Sequence, residues 1–302
     1  MTERKVAVVT GASSGIGRAS ARALAARGYD VVCAARRLDR VEELAREIDG
    51  RAVQCDVTNV DDVKNLAAQA GSRVDVLVAN AGGAFGAEPV ATANLDDWRR
   101  MYDVNVIGTA ATIQAFLPAL EAAHGVIITI GSTAGIVSYE GGAGYCGSKH
   151  AVRALMGALR LELFDKPVRV CEIDPGMVKS DEFALVRFGG DADKAAAVYQ
   201  GVEAPLTQDD IADVVTYIAE LPEHVEVEVD GAVADVASAE VGDERLAEQV
   251  QQRAAEEDRD AGGAGVRVDL LHMGRHRAAR VEPQHALAVV GDRHAVDLEQ
   301  RP

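Results

Sequence analysis

Tyr145 and Lys149 stand four residues apart, so on a helix they share one face. A phenol with an ordinary pKa of about 10 is a poor base at neutral pH. A neighbouring cation that stabilises the phenolate changes that, and a lysine one turn along is such a cation. The pair could then give a proton to a carbonyl oxygen or take one from a hydroxyl. Ser132 follows an apolar run at 125–131, thirteen residues before Tyr145, and its hydroxyl could hold the same oxygen. Each has an ordinary reading by itself: Y-x-x-x-K arises by chance, and a serine after a strand is a common turn residue.

A second group lies near the N-terminus. Thr10-Gly11-Ala12-Ser13-Ser14-Gly15-Ile16-Gly17 joins an apolar run at 5–10 to a helical pattern. Gly11 permits a tight turn, Gly15 a close approach of backbone to a pyrophosphate, and Gly17 close packing of the helix. Ser13, Ser14 and Ile16 complete the loop, and the helix N-terminus offers free N–H groups and a positive dipole end to phosphate. The spacing is T-G-x-x-x-G-x-G. The next apolar run ends Ala35-Arg36-Arg37, with no acid for a ribose 2′-hydroxyl. Two guanidinium groups there suit a 2′-phosphate, which predicts NADP; the alternative is a solvated arginine pair opening a surface helix. Asp56, with Val57 after it, could reach an adenine amine or cap the helix that begins at Val60.

These residues need a frame. Strand-length apolar runs occur at 5–10, 30–35, 52–56, 74–79, 125–131 and 168–174. Helical periodicity follows at 18–27, 39–48, 60–70, 96–121 and 145–164. Runs that are apolar throughout belong to strands buried on both faces, and the alternation predicts an α/β fold with a doubly wound parallel sheet flanked by helices. After His224 the character changes. Val225 to Pro302 has no Phe, Tyr, Trp, Ile, Lys, Asn, Thr or Cys, so it can bury little apolar surface against a backbone entropy cost of about 1–2 kcal/mol per residue. The expected division is a domain over 1–230 and a poorly ordered extension over 231–302, with one short helix at 243–257. Residues 225–230 alternate and could form a last strand. The tail is read as a genuine extension or as a GC-rich frame read out of register.

The chain has 302 residues and a formal net charge of -17. That charge disfavours nucleic acid and anionic membrane as partners. Cys33, Cys55, Cys146 and Cys171 lack metal or redox spacing, and no metal is expected. No secretory leader pattern or membrane-length apolar run is read at the sequence level, which predicts a cytoplasmic protein.

With those residues in place, the chain resembles the short-chain dehydrogenases/reductases. The resemblance rests on T-G-A-S-S-G-I-G at 10–17, N-A-G at 80–82, Asn105, Ser132, Y-C-G-S-K at 145–149 and P-G at 175–176, and it covers about 1–224. It implies a Rossmann-type domain that binds NADP. Asn80, Ala81 and Gly82 would support the cofactor pocket. Asn105 would hold a water in a relay with Lys149, and Lys149 would meet the nicotinamide ribose. Pro175, Gly176 and Val178 would border the nicotinamide, with Ser180 standing where a threonine is usual. A finer resemblance runs from Asp181-Glu182-Phe183 through Arg187-Phe188-Gly189-Gly190-Asp191 and on to Leu221-Pro222-Glu223-His224-Val225. It is similar to the subgroup acting on serine, allo-threonine and other 3-hydroxy acids. Arg187 would bind the substrate carboxylate, or else pair with Asp181 or Glu182. The implied partners are a small-molecule substrate and copies of the chain in a homo-tetramer or dimer. The rival functions are reduction of another carbonyl, such as a 3-oxoacyl thioester or a specialised aldehyde, and non-catalytic NADP sensing.

Overall fold

The computed structural model describes residues 4–180, 182–202, 204–223, 225, 227–232 and 266–267. The strands that carry the sheet are β1 (Val6–Thr10), β2 (Asp30–Ala35), β3 (Arg51–Gln54), β4 (Val76–Ala79), β5 (Val126–Ile130) and β6 (Arg169–Pro175). Short strands β7 (Val178–Lys179) and β8 (Leu206–Thr207) pair with each other, apart from the main sheet. β9 (Val227–Ala232) joins β6, and the two-residue β10 (Val266–Arg267) lies beyond it. The order is β10-β9-β6-β5-β4-β1-β2-β3, with parallel pairing throughout. From β1 the chain runs outward through β2 to one edge and returns through β4 to the other. This reversal opens a crevice at the carboxyl ends of β1 and β4.

The apolar strands are explained by burial on both faces. On one face Ala7, Val9, Val31, Val76 and Ile128 pack with Leu24 of α1 (Gly15–Ala26), Leu44 of α2 (Leu38–Ile48), and Ile211 and Val215 of α9 (Gln208–Glu220). On the other, Val8, Val32, Leu77 and Ile127 meet Leu66 of α3 (Val60–Ala70), Phe116 of α5 (Gly108–Ala123) and Met156 of α6 (Ala143–Glu162). Alternate residues of one strand thus feed two separate cores.

The stretch expected as one helix at 96–121 is α4 (Leu95–Tyr102), a π turn (Asp103–Ile107) and α5 in sequence. Taken together, Leu95–Ala123 has the length of a membrane span, and one 18-residue window within it reaches a mean hydropathy of 1.3. Its buried residues, Thr112, Ile113, Phe116 and Leu120, face the core of this domain. α9 went unmarked in the sequence pattern, although its start is a capping box between Thr207 and Asp210. β9 occupies the expected last-strand position and continues to Ala232. The expected helix at 243–257 and most of the 231–302 extension lie outside the described residues.

Candidate active site

The crevice is a cleft of about 700 Å³ lined from both halves of the sheet. Its floor is the β1–α1 turn. Gly11 and Gly15 have positive φ, 67° and 54°, which glycine alone adopts without strain. A Cβ on Gly11 would lie 2.7 Å from Asn80 Nδ2, and one on Gly17 would lie 2.5 Å from the Gly11 carbonyl. Nothing comes closer to a Cβ on Gly15 than Ser180 at 3.7 Å, so that glycine serves the turn's conformation and leaves space above it. Asn80 Nδ2 donates to the Thr10 carbonyl at 2.9 Å, while the Thr10 hydroxyl accepts from the Asn80 and Ala81 amides. These bonds pin the ends of β1 and β4 together. Ser14 begins α1 without capping it, and the first turn holds no acid. The α1 amides therefore remain available to an anion.

The two arginines after β2 differ. Arg37 Nε and Nη2 donate to Ser13 Oγ at 3.2 and 2.8 Å, Nη2 also reaches Ser14 Oγ at 3.0 Å, and Nη1 donates to Glu182 at 2.8 Å. Arg36 lines the cleft, exposed. Arg40, not marked from the sequence, also pairs with Glu182. Asp56 does not cap α3; Asn59 does, accepting from the Asp61 and Asp62 amides. Asp56 Oδ1 accepts from the Thr58 amide and hydroxyl, which aims the carboxyl group at the cleft beside Val57.

At the other end of the cleft, α6 presents Tyr145 and Lys149. Its glycines let α4 and the π turn close upon it: a Cβ on Gly144 would lie 2.6 Å from Trp98, and one on Gly147 2.8 Å from the Tyr102 hydroxyl. Ser132 donates its amide to Asp174 Oδ1 at 2.8 Å, and its Oγ accepts from the Ala134 amide at 3.1 Å. Lys149 Nζ donates to the Ile130 carbonyl at 2.8 Å and sits 5.9 Å from the Tyr145 ring centre. Burial pushes this ammonium down to about 8, while Glu172 and Asp174 hold it up. Burial also pushes the Tyr145 phenol well above its ordinary value; Ser132 and Arg187 pull the other way. Desolvation outweighs those two opposing influences in this arrangement.

Asn105 sits buried in the π turn, a form of helix irregularity frequent at functional sites. Its Oδ1 accepts from the Gly83 amide, and its Nδ2 donates to the Gly83 carbonyl and to Ser148 Oγ. Both amide hydrogens of the side chain are thus engaged within the protein. Gly82, Pro175, Gly176, Val178 and Ser180 line the cleft between the two ends. Arg187 ends the short helix α7 (Phe183–Arg187), which is followed by α8 (Ala192–Ala197). It is not bonded to Glu182. Its Nε donates to the Gly86 carbonyl at 3.1 Å and its Nη1 to the Tyr139 hydroxyl at 3.0 Å, and its guanidinium lies 5.9 Å from the Tyr145 ring centre. Phe183 also lines the site, as do Tyr139 and Phe85, which the sequence does not mark. A lone aromatic in a loop has no periodicity or spacing to mark it.

The arrangement can cradle a dinucleotide diphosphate on uncapped amides, offer guanidinium to an anion at its adenosine end, and exchange a proton with an oxygen held between Ser132 and Tyr145. The short chain dehydrogenase family model matches residues 5–187. An uncharacterized oxidoreductase of Mycobacterium tuberculosis is 53% identical over 228 residues, covering 75% of this chain and 90% of that protein. The NADP-dependent 3-hydroxy acid dehydrogenase of Escherichia coli K12 is 39% identical over 228 residues, covering 74% and 92%. Among solved structures, the closed form of a serine dehydrogenase complexed with NADP+ superposes with a TM-score of 0.71 at 36% identity, covering 75% of this chain and 92% of that one. An alcohol dehydrogenase from Thermococcus sibiricus complexed with 5-hydroxy-NADP gives 0.66 at 32%, covering 79% and 100%.

Proposed function

The chain belongs to the short-chain dehydrogenase family, and within it we propose an NADP-dependent enzyme that interconverts small 3-hydroxy acids, of the serine, allo-threonine or 3-hydroxypropionate type, with their 3-oxo acids. The observation that carries the substrate class is Arg187. Its guanidinium lies 5.9 Å from the ring centre of Tyr145 inside the cleft. Two of its nitrogens are held by Gly86 and Tyr139, which fixes the fork, and the residue lines the cleft. A carboxylate two carbons from the reacting carbinol suits such a cation.

The cleft fits NADP on its own geometry: Gly15 leaves open space above the turn, the α1 amides are uncapped, and Arg36 and Arg37 border the adenosine end. Gly11, Ser13, Ser14, Gly15, Ile16 and Gly17 would hold the diphosphate. Arg36 and Arg37 would take the 2′-phosphate and Asp56 with Val57 the adenine. Asn80, Ala81, Gly82, Pro175, Gly176 and Val178 would enclose the nicotinamide half. Bound NADP supplies the hydride chemistry.

The chain's own residues do the rest. Ser132 donates to the substrate oxygen and orients it. Tyr145 gives its proton to that oxygen on reduction and recovers it on oxidation. Lys149 anchors the nicotinamide ribose and, through a water held by Asn105, connects Tyr145 to a source of protons. A screen of NADP reduction with serine, allo-threonine and 3-hydroxypropionate against simple secondary alcohols tests the assignment. The acids should turn over with the higher kcat/KM; equal values for the alcohols would remove the substrate class.

A further inference from the structure

The lid helix α7 is tied down at both ends. At its start, Glu182 accepts from Arg37 at 2.8 Å and also pairs with Arg40. At its end, Arg187 is bonded to Gly86 and Tyr139. Between them Phe183 meets the Tyr145 ring edge-on, with centroids 5.9 Å apart. The helix is thus a strap that runs from the adenosine end of the cleft to the substrate end. Arg37 is its fixed post: two of its nitrogens hold Ser13 and Ser14 of the phosphate turn, and the third holds Glu182.

We propose that Glu182 is a positioning residue that fastens this strap over the site, and that it does so in competition with the cofactor's 2′-phosphate for Arg37. Arg37 and Arg40 share one carboxylate, and Arg36 lines the same cleft next to Arg37 in the chain. Two positive charges are left over, which match a phosphate that is near its dianion at neutral pH. Burial alone would raise the Glu182 pKa, but hydrogen bonds from Arg40, Arg37 and Ser14 hold it below the ordinary carboxylate value, so the carboxylate stays charged while the strap is closed. The inference rests on the NADP assignment above, not on which acid is the substrate.

The test is E182Q beside R40Q, read without turnover. Hydrogen exchange is followed at the amides of Val186, Phe188 and Gly190, which donate to carbonyls within the strap. Nucleotide binding is followed as the ratio of the Kd values for NAD and NADP. Both variants should speed exchange in the strap several-fold. E182Q should raise the preference for NADP by about 3- to 10-fold at low salt, the scale of one screened charge a few ångströms from a dianion. R40Q should lower that preference. A carboxylate that merely stabilised the fold would not move cofactor choice in opposite directions in the two variants. Strap exchange unchanged in E182Q, or an E182Q protein with a weaker preference for NADP, overturns the proposal. A native protein that binds NAD as tightly as NADP overturns the cofactor assignment and this inference with it.

Discussion

Gly131 carries no positive φ, yet the structure predicts that alanine there is severely damaging. A Cβ at 131 would fall 2.0 Å from Asp174 Oδ1 and 2.7 Å from Glu172 Oε1, and both carboxylates are buried, at 1% and 2% exposure. Asp174 cannot swing away freely. Asp174 Oδ1 accepts the Ser132 amide at 2.8 Å and Oδ2 accepts from Arg153 at 3.1 Å. Relieving the clash takes Asp174 off Ser132 and leaves a donor unpaired beside a charge, which costs roughly 1.5–3 kcal/mol. Forcing a methyl into a packed site adds about 1–3 kcal/mol. The sum, about 3–6 kcal/mol, is a large part of the roughly 5–15 kcal/mol that holds a domain folded, and corresponds to a fall in Tm on the order of 10–20 °C. Since Ser132 would move with the Asp174 contact, kcat should fall at temperatures where the variant is still folded. Denaturant and thermal unfolding of G131A, with turnover measured well below its Tm, give both numbers. A loss of less than about 1 kcal/mol with normal kcat would show that the carboxylates do not brace Ser132.

Tyr145→Phe should lower kcat by about 10²- to 10⁴-fold while NADPH binding, followed by nucleotide fluorescence, stays within about twofold of native. Arg187→Met should raise KM for hydroxy acids about tenfold or more, the scale of a lost charge-assisted bond, and leave secondary alcohols unaffected; competition kinetics separate the two. The buried Glu172 has its carboxyl pushed up to about 8, first by burial and then by Asp174. A raised carboxyl pKa means the folded state binds the extra proton between about pH 4.5 and 8, so this group's contribution to stability falls as pH rises through that window. Glu172→Gln should therefore gain stability relative to native at pH 8 compared with pH 5, as read by melts at the two pH values.

The frame of the site was legible because both faces of each strand are buried, so the strands read as apolar runs and the switch point follows from their alternation with helices. The glycine turn, Tyr145, Lys149 and Ser132 were legible because their chemistry depends on fixed spacing within one element or one turn. Contacts that cross the cleft left no such trace. Glu182 and Arg40 are 142 positions apart, and Tyr139 and Arg187 are 48 apart; nothing local marks either pair. The π turn was equally silent, since nothing in the residue types of Asp103–Ile107 marks an extra residue in the helical turn. Asp56 allowed two readings, an adenine contact or a helix cap, and the structure removes the second, since Asn59 stands one residue before Val60 and caps α3.

The protonation state of Tyr145 ties these observations to a direction of chemistry. Burial keeps the phenol protonated, and the two cations near it, Lys149 and Arg187, lie no closer than 5.9 Å to its ring centre. In this arrangement Tyr145 is ready to donate, which is what carbonyl reduction requires. Oxidation requires the phenolate, and that requires more positive charge at the hydroxyl. Lys149 is tied to one described acceptor, the Ile130 carbonyl, and Arg187 to two partners, Gly86 and Tyr139. Under the function proposed above, the less constrained Lys149 is therefore the cation that would set the protonation of Tyr145.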